Sequence, residues 1–455
     1  MTWGLRPRQV ANQLERCFRA ETDLLRVLGG WTARVTENDE RLAFARDMGF
    51  RAEHGEALRA RMARLRTTDR MIHEPPAEWR QLIELIDNAP TTTALVAAVY
   101  DLVGAQLVDA YGALVADCDP LGDELTIRLV TRHLVPDHVE RNAWAAEFLA
   151  GADTSADAEY FADVRAALDA AGGLHVRSDA VPADRTDDGA ELGTGFWPLT
   201  RPAPELLFLG SEYRIAGDGE EVSYCPDYAD FGQHDAEVLA NHHGLMPEIS
   251  SLAIVGSMVH EIHDRPWEFY RDFATQCSDE IRHIGLLLRR LEQLGADAGV
   301  HPFPTWNFYD AVAFLPLTER TLVFNAVVEG NVVETLHDRA RAFRDAGVED
   351  SAFVCDWISA DESLHLFNGM RWLEASDTAG VDALLDRGQA ILGVVMKQKG
   401  TSEKVFDSAS ESLSSGDFYA PRANPVAPIA RELGGFTEEQ IERLVASAKG
   451  KTIRS

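Results

Sequence analysis

The sequence predicts an all-α chain of two four-helix bundles in tandem, joined by a mixed insert with some β structure and followed by a helical C-terminal tail. Three observations carry that expectation. Apolar residues recur three and four apart through residues 9–171 and again through 237–375, the period of amphipathic helices. Between these stretches, residues 172–235 change texture: ELGTGFWPL, LLFLGSEYRI and GDGEEVSYCPDY mix Gly and Pro with β-formers, the composition of turns and short strands. Within the second periodic stretch, Glu and His recur three apart, a spacing that puts both on one helix face.

In chain order, turn signals separate four long helices at about 9–34, 38–67, 91–117 and 121–150, which form the first bundle in a domain spanning 1–171. The insert at 172–235 accommodates a hairpin or two. Helices at 237–263, 266–294, 320–345 and 349–375 then build a second bundle over 236–376, with an irregular crossover at 296–319 rich in Pro and aromatics. The tail, 377–455, reads as helices near 378–396 and 403–414, a Pro-containing loop at 420–428, and a short helix at 437–448 opened by Thr437.

Composition excludes several function classes. The 455 residues carry 43 Lys plus Arg against 74 Asp plus Glu, a formal charge of −31, with 45% hydrophobic and 26% charged residues. That balance supports a folded core and supplies no basic footprint for nucleic acid or an anionic membrane. Cys17, Cys118, Cys225, Cys277 and Cys355 are scattered singly, so neither a disulfide framework nor a Cys-rich zinc site is expected. The opening MTWGLRPRQV has no signal-peptide core, and no run approaches the ~18 uninterrupted apolar residues of a membrane span. The expected compartment is cytoplasmic.

Three Glu-x-x-His spacings occur, at Glu280/His283, Glu334/His337 and Glu362/His365. One such pair means little on a solvated helix, so each is tested for partners. In an antiparallel hairpin, residues at one depth lie about equally far from the turn. Glu248 and Glu280 are symmetric about the turn at Asp264-Arg265-Pro266, and Glu329 and Glu362 about Ala346-Gly347-Val348. Glu334 sits five residues, or about 140° of helix, past Glu329, which makes Glu334/His337 a surface pair. Pro247, just before Glu248, predicts a kink or a helix start there.

Six ligands remain: Glu248, Glu280, His283, Glu329, Glu362 and His365. Two helices giving one Glu each and two giving Glu-x-x-His form the inward-facing set of a dimetal four-helix bundle. Four carboxylates and two imidazoles suit two iron ions, or manganese, with open positions for O₂. Both motifs read Asp-Glu-x-x-His, so Asp279 and Asp361 are the expected outer carboxylates, each for the His of the opposite motif. The apolar setting, with Leu286, Leu287 and Leu288 after one motif and Ala326, Val327 and Val328 before Glu329, argues for burial, and buried carboxylates demand cations.

Residues 248–372 resemble a ferritin-like diiron-carboxylate domain, and DEIRH at 279–283 is similar to the DExRH motif of bacterial multicomponent monooxygenases and their ribonucleotide reductase cousins. Pro266, Phe269, Tyr270 and Asp272, followed by Arg290–Gly295, resemble more closely a bacterial ferritin-like family related to the tRNA-modifying diiron hydroxylase. The resemblance implies two irons, O₂ as co-substrate and an external electron donor. With the charge set against tRNA, the expected activity is an O₂-dependent oxidoreductase that hydroxylates, N-oxygenates or desaturates a small molecule. A ferroxidase or iron-handling protein and a non-enzymatic scaffold are the alternatives, and a homodimer is compatible with all three. Trp306, Phe308 and Tyr309 in the crossover could cap the pocket or simply pack. Tyr270, Trp357 and Trp372 fall at core positions, while His242, His243, His260 and His263 read as partly exposed helix residues.

The N-terminal half repeats the layout in emptied form. Glu21 and His54 flank a turn near Glu37, and Asp109 and Asp137 flank Leu121-Gly122-Asp123. The motif positions read Arg51-Ala52-Glu53-His54 and Asp137-His138-Val139-Glu140. Arg51 puts a cation where a ligand carboxylate would stand, so this half is expected to be a degenerate ferritin-like bundle with a structural role. A residual single-metal site is the alternative.

Overall fold

The computed structural model describes residues 4–35, 38–65, 75–174, 194–200, 232–296 and 315–374, with isolated positions at 312, 387–388, 391, 432, 436–439 and 441–442. Among these, the chain is predominantly helical and contains no strand. Residues 194–200 of the insert are irregular, the tail positions 387–388, 391, 438–439 and 441–442 are helical, and the rest of the insert with its expected hairpins, the aromatic crossover and the tail lie almost wholly outside the described residues.

Among the described residues, ten helices of five residues or more carry the fold. They are α1 (Pro7–Trp31), α2 (Asn38–Leu65), α3 (Ala77–Asp87), α4 (Thr92–Asp117), α5 (124–150), α6 (Ala158–Ala170), α7 (Gln233–Glu261), α8 (Trp267–Gln293), α9 (317–345) and α10 (Glu349–Glu374). The eight long ones agree with the expected helices to within four residues at each end. The short α3 and α6 are additions. The chain divides into two compact units, one of residues 1–207 with 259–278 and the other of 208–258 with 279–455.

In the first unit, α1 starts with Pro7 in its first turn, where the missing N–H costs nothing. From Cys17 to Trp31 every residue is buried, so α1 is a central helix whose polar side chains need internal partners. Trp79 Nε1 donates to Asp23 at 2.7 Å, and the Arg26 guanidinium donates to the carbonyls of Trp197 and His260, each at 2.8 Å. Gly30 lets the His260 ring close in, since a Cβ there would sit 2.5 Å from it. His260 is thus buried and bonded to Asp87 at 3.0 Å, and His242, in the second unit, is buried as well. Both correct the partly exposed reading, whereas His263 is exposed. Tyr270 is core, its ring edge-on to Phe196.

Helix α4 opens on Thr91, whose hydroxyl accepts from the Ala94 amide. It is long and apolar enough to cross a bilayer, but 61% of its apolar window is buried inside the protein, as in a core helix. Helix α5 opens on Asp123, which accepts from the Thr126 amide at 3.2 Å, and contains Pro136. Proline removes one helical hydrogen bond and crowds the carbonyl four residues back, and here a π-wound stretch, Val130–Leu134, immediately precedes it. A second π stretch, Ala97–Gly104, lies in α4.

In the second unit, α7 runs unbroken through position 247, so Glu248 sits inside a helix and the expected kink or start is absent. The turn between α9 and α10 is closed by Gly347 at φ 75°, with Val348 N–H reaching the Phe343 carbonyl at 2.8 Å, a Schellman cap that only glycine makes without strain. Arg290 ties three helices together through Glu237 at 2.5 Å and Ser351 at 3.0 Å. Trp357 corrects its core assignment: it is 49% exposed on α10, as are Phe353, Leu364 and Phe367 to similar degrees.

Gly369 is where α10 approaches the π-wound stretch Leu322–Glu329 of α9. A Cβ there would overlap the Asn325 Cβ and lie 3.0 Å from its Cγ. Alanine is favoured in a helix by about 1 kcal/mol, but overpacking costs roughly 1–3 kcal/mol. Gly369→Ala is therefore expected to lower the thermal midpoint, and the larger Gly369→Val to lower it further. A higher midpoint for Gly369→Val would show that this contact does not constrain α10.

Candidate metal centre

Helices α7, α8, α9 and α10 each bring acidic residues to one place in the second unit. Glu248 comes from α7, Glu280 and His283 from α8, Glu329 from the end of the π stretch in α9, and Glu362 and His365 from α10. All six are buried, with exposures of 7, 0, 0, 3, 1 and 1%. Donor atoms of Glu248, Glu280, His283 and Glu362 lie within 4.8 Å of one another, and so do those of Glu280, Glu329, Glu362 and His365. Glu280 and Glu362 belong to both groups, the position of bridging carboxylates.

The two imidazoles are oriented alike. His283 Nδ1 faces inward, 3.1 Å from Glu248 and 3.5 Å from Glu362, while its Nε2 meets Asp361 at 3.0 Å. His365 Nδ1 lies 2.8 Å from Glu362 and 3.5 Å from Glu280, and its Nε2 meets Asp279 at 3.2 Å. Each Asp thus supports the His of the opposite motif. Arg282, the Arg of DEIRH, reaches both outer carboxylates, at 2.9 Å from Asp279 and 2.5 Å from Asp361. The DEIRH motif alone gives Arg282 no role. Its helical offset of three from Asp279 was the available signal. Glu334 is half-buried and His337 exposed, and neither belongs to the two donor groups.

The electrostatics show what the site lacks without cations. Burial pushes the Glu280 carboxyl up to about 7, against the pull of His283 and His365. Burial also drives Glu329 well above the usual carboxylate range, and the neighbouring Glu362 and Glu280 add to it. Burial alone would lower His283, but the Glu248 carboxylate and hydrogen bonds to Asp361, Glu248 and Glu280 reverse this and hold it well above its ordinary value. His365 is likewise carried to about 10, by Glu362 and by its bonds to Asp279 and Glu362, against the desolvation that would lower it. Protons therefore gather where compensating positive charge is missing. Two divalent ions would neutralise the four glutamates and leave both imidazoles neutral, with Nε2–H on an Asp and the Nδ1 lone pair facing inward.

In the first unit, Glu21 and His54 meet as expected and Asp137 touches His54. Asp109 is exposed and takes no part, a correction to its expected place. Tyr111 and His138 are there instead.

Residues 226–441 match a family model described as a protein of unknown function, DUF455. That stretch contains all six residues of the cluster and excludes the first unit's Glu21, His54 and His138. No curated protein and no solved structure matches the chain.

Proposed function

We propose that the second unit holds two first-row transition ions, iron with manganese as the alternative, and that the protein is an O₂-dependent oxidoreductase acting on a small molecule. The observation that carries this reading is the sharing of Glu280 and Glu362 between two buried four-donor groups, each completed by one His with an Asp behind it. Carboxylate-rich coordination with a single imidazole per metal leaves positions open to other ligands. Iron held in this way supplies one- and two-electron chemistry with O₂ that no side chain can supply.

The chain's own residues set the conditions for that chemistry. Asp361 and Asp279 hold the protons of His283 and His365 at Nε2, which fixes each ring and its inward lone pair. Arg282 neutralises part of the charge on those outer carboxylates. Glu248 and Glu329, each in one group only, are the ligands free to change denticity. The buried surroundings keep the cluster from bulk water. The substrate is hydroxylated, N-oxygenated or desaturated with electrons from an external donor, and the acidic surface argues against a nucleic-acid substrate.

Anaerobic Fe(II) loading followed by O₂ exposure tests the reading. The expected result is O₂ uptake stoichiometric with two irons, absent from Glu280→Ala and restored to turnover by an electron donor. Uptake of iron far beyond two per unit would make it an iron-handling protein. Failure of the second unit to take up any metal would leave a scaffold, and either result overturns the oxidoreductase.

A further inference from the structure

We propose that the first unit holds one divalent transition-metal ion on Glu21, His54 and His138, in a half-site whose second metal position is filled by two arginines. The geometry of a single buried cluster carries this. Glu21, His54 and His138 are 0, 4 and 1% exposed, and their donor atoms lie within 4.8 Å of one another. Two histidines and one carboxylate are a recurrent set for zinc and for non-haem Fe(II).

Three groups crowd one oxygen. Glu21 Oε1 lies 2.6 Å from His138 Nε2, 3.1 Å from His54 Nδ1 and 3.0 Å from Tyr111 Oη. A carboxylate oxygen offers two lone pairs, so three convergent partners exceed what hydrogen bonding to it uses well. An ion between them accepts from the nitrogens and the oxygen together. His54 also turns its outer nitrogen onto Asp137 Oδ2 at 3.0 Å, as His283 and His365 turn theirs onto Asp361 and Asp279. Outer carboxylates of this kind orient metal-binding imidazoles.

The spacing shows which half of a two-metal layout survives. Arg51-x-x-His54 stands as Glu280-x-x-His283, and Asp137-His138-x-x-Arg141 stands as Asp361-Glu362-x-x-His365. The group matching Glu248, Glu280, His283 and Glu362 therefore keeps three donors, Glu21, His54 and His138. In the other group Arg51 and Arg141 replace Glu280 and His365. Arg51 bonds Glu21 Oε2 at 3.0 Å and Asp47 at 2.7 Å, and Arg141 pairs with Asp47. Fixed guanidinium charge occupies that side and leaves Glu21 Oε1 for a single ion. Glu21, Asp47 and Asp137 against Arg51 and Arg141 leave one negative charge. A divalent ion that also carries one further anionic ligand, such as hydroxide, closes it, and so does a proton on His54 with no metal.

The experiment separates those two closures. The full chain is stripped with chelator, titrated anaerobically with Co(II), and its bound ions are counted by native mass spectrometry alongside the Co(II) d–d absorption. The expected count is three. Glu280→Ala/Glu362→Ala, which empties the second-unit cluster, is expected to keep one, and adding His138→Ala to remove it. His138→Gln, which retains a hydrogen-bonding side chain of similar reach, serves should His138→Ala lose its helical circular dichroism. Two ions lost with Glu280→Ala but indifferent to both His138 substitutions would overturn this half-site and leave the proposed function standing. One ion lost with His138→Gln and indifferent to Glu280→Ala would support the half-site and overturn that function.

Discussion

Glu280→Ala is expected to remove two ions from the chain, whereas Glu248→Ala and Glu329→Ala each remove one. The difference follows from membership. Glu280 contributes to both four-donor groups, while Glu248 and Glu329 contribute to one apiece. A bridging carboxylate also reduces the repulsion between two cations, so its loss exposes each ion to the other as well as to a missing ligand. Glu362→Ala should behave as Glu280→Ala does. Asp361→Asn is a milder lesion: the ring of His283 keeps a partner but loses a charged one, and metal affinity is expected to fall by roughly 10–100-fold. Metal-to-protein ratios measured by mass spectrometry after desalting read all of these. Equal losses from Glu280→Ala and Glu248→Ala would mean that Glu280 does not bridge, and the two-ion assignment would fail.

Much of this site was legible because hairpin geometry is simple. Equal distance from a turn placed Glu248 opposite Glu280 and Glu329 opposite Glu362, and the repeated Asp-Glu-x-x-His fixed the crossed Asp–His pairs. What escaped was set by winding or by distant partners. The count from the turn to Asp137 crosses the π stretch Val130–Leu134, which carries an irregular winding that a regular-helix count omits, and Tyr111, not the exposed Asp109, reaches Glu21. His138 stands where the template has a carboxylate, so the motif alone does not mark it as a donor. His260 reads as a surface residue until Asp87, 173 residues earlier, comes to meet it. Trp357 shows the converse, since helical period says which residues share a face and not whether another element covers it. The helix through position 247 shows local propensity overridden by the surrounding fold.

Chelation is expected to destabilise the chain by an amount that grows with pH. An ion present at about a thousand times its dissociation constant contributes roughly 4 kcal/mol, and for a protein of this size each kcal/mol moves the thermal midpoint by about 2–4 °C or somewhat less. The stripped protein has its own slope. Glu280 is raised from 4.5 to about 7 and His365 from 6.5 to about 10, with Glu329 and His283 shifted the same way. A group whose folded value exceeds its unfolded value binds protons more tightly when folded. Its contribution is complete below the unfolded value and lost as pH rises through the folded one. The stripped second unit should therefore weaken from about pH 5, through the Glu280 value of about 7, to the His365 value of about 10. Asp361 works in the other direction: burial would raise it, but hydrogen bonds from His283 and Arg282 hold it below 3.8, so its contribution is lost only on acidification below that window. Metal binding needs the same groups deprotonated, so the ions stabilise more as the protons leave. Thermal unfolding with and without chelator at pH 5.5, 7 and 8.5 should give two curves that diverge with pH. In the stripped protein Glu280→Gln should flatten part of the decline, because it keeps the shape of the side chain without its titrating proton. Curves that converge toward high pH would show that these six residues hold protons in the native protein and not metal.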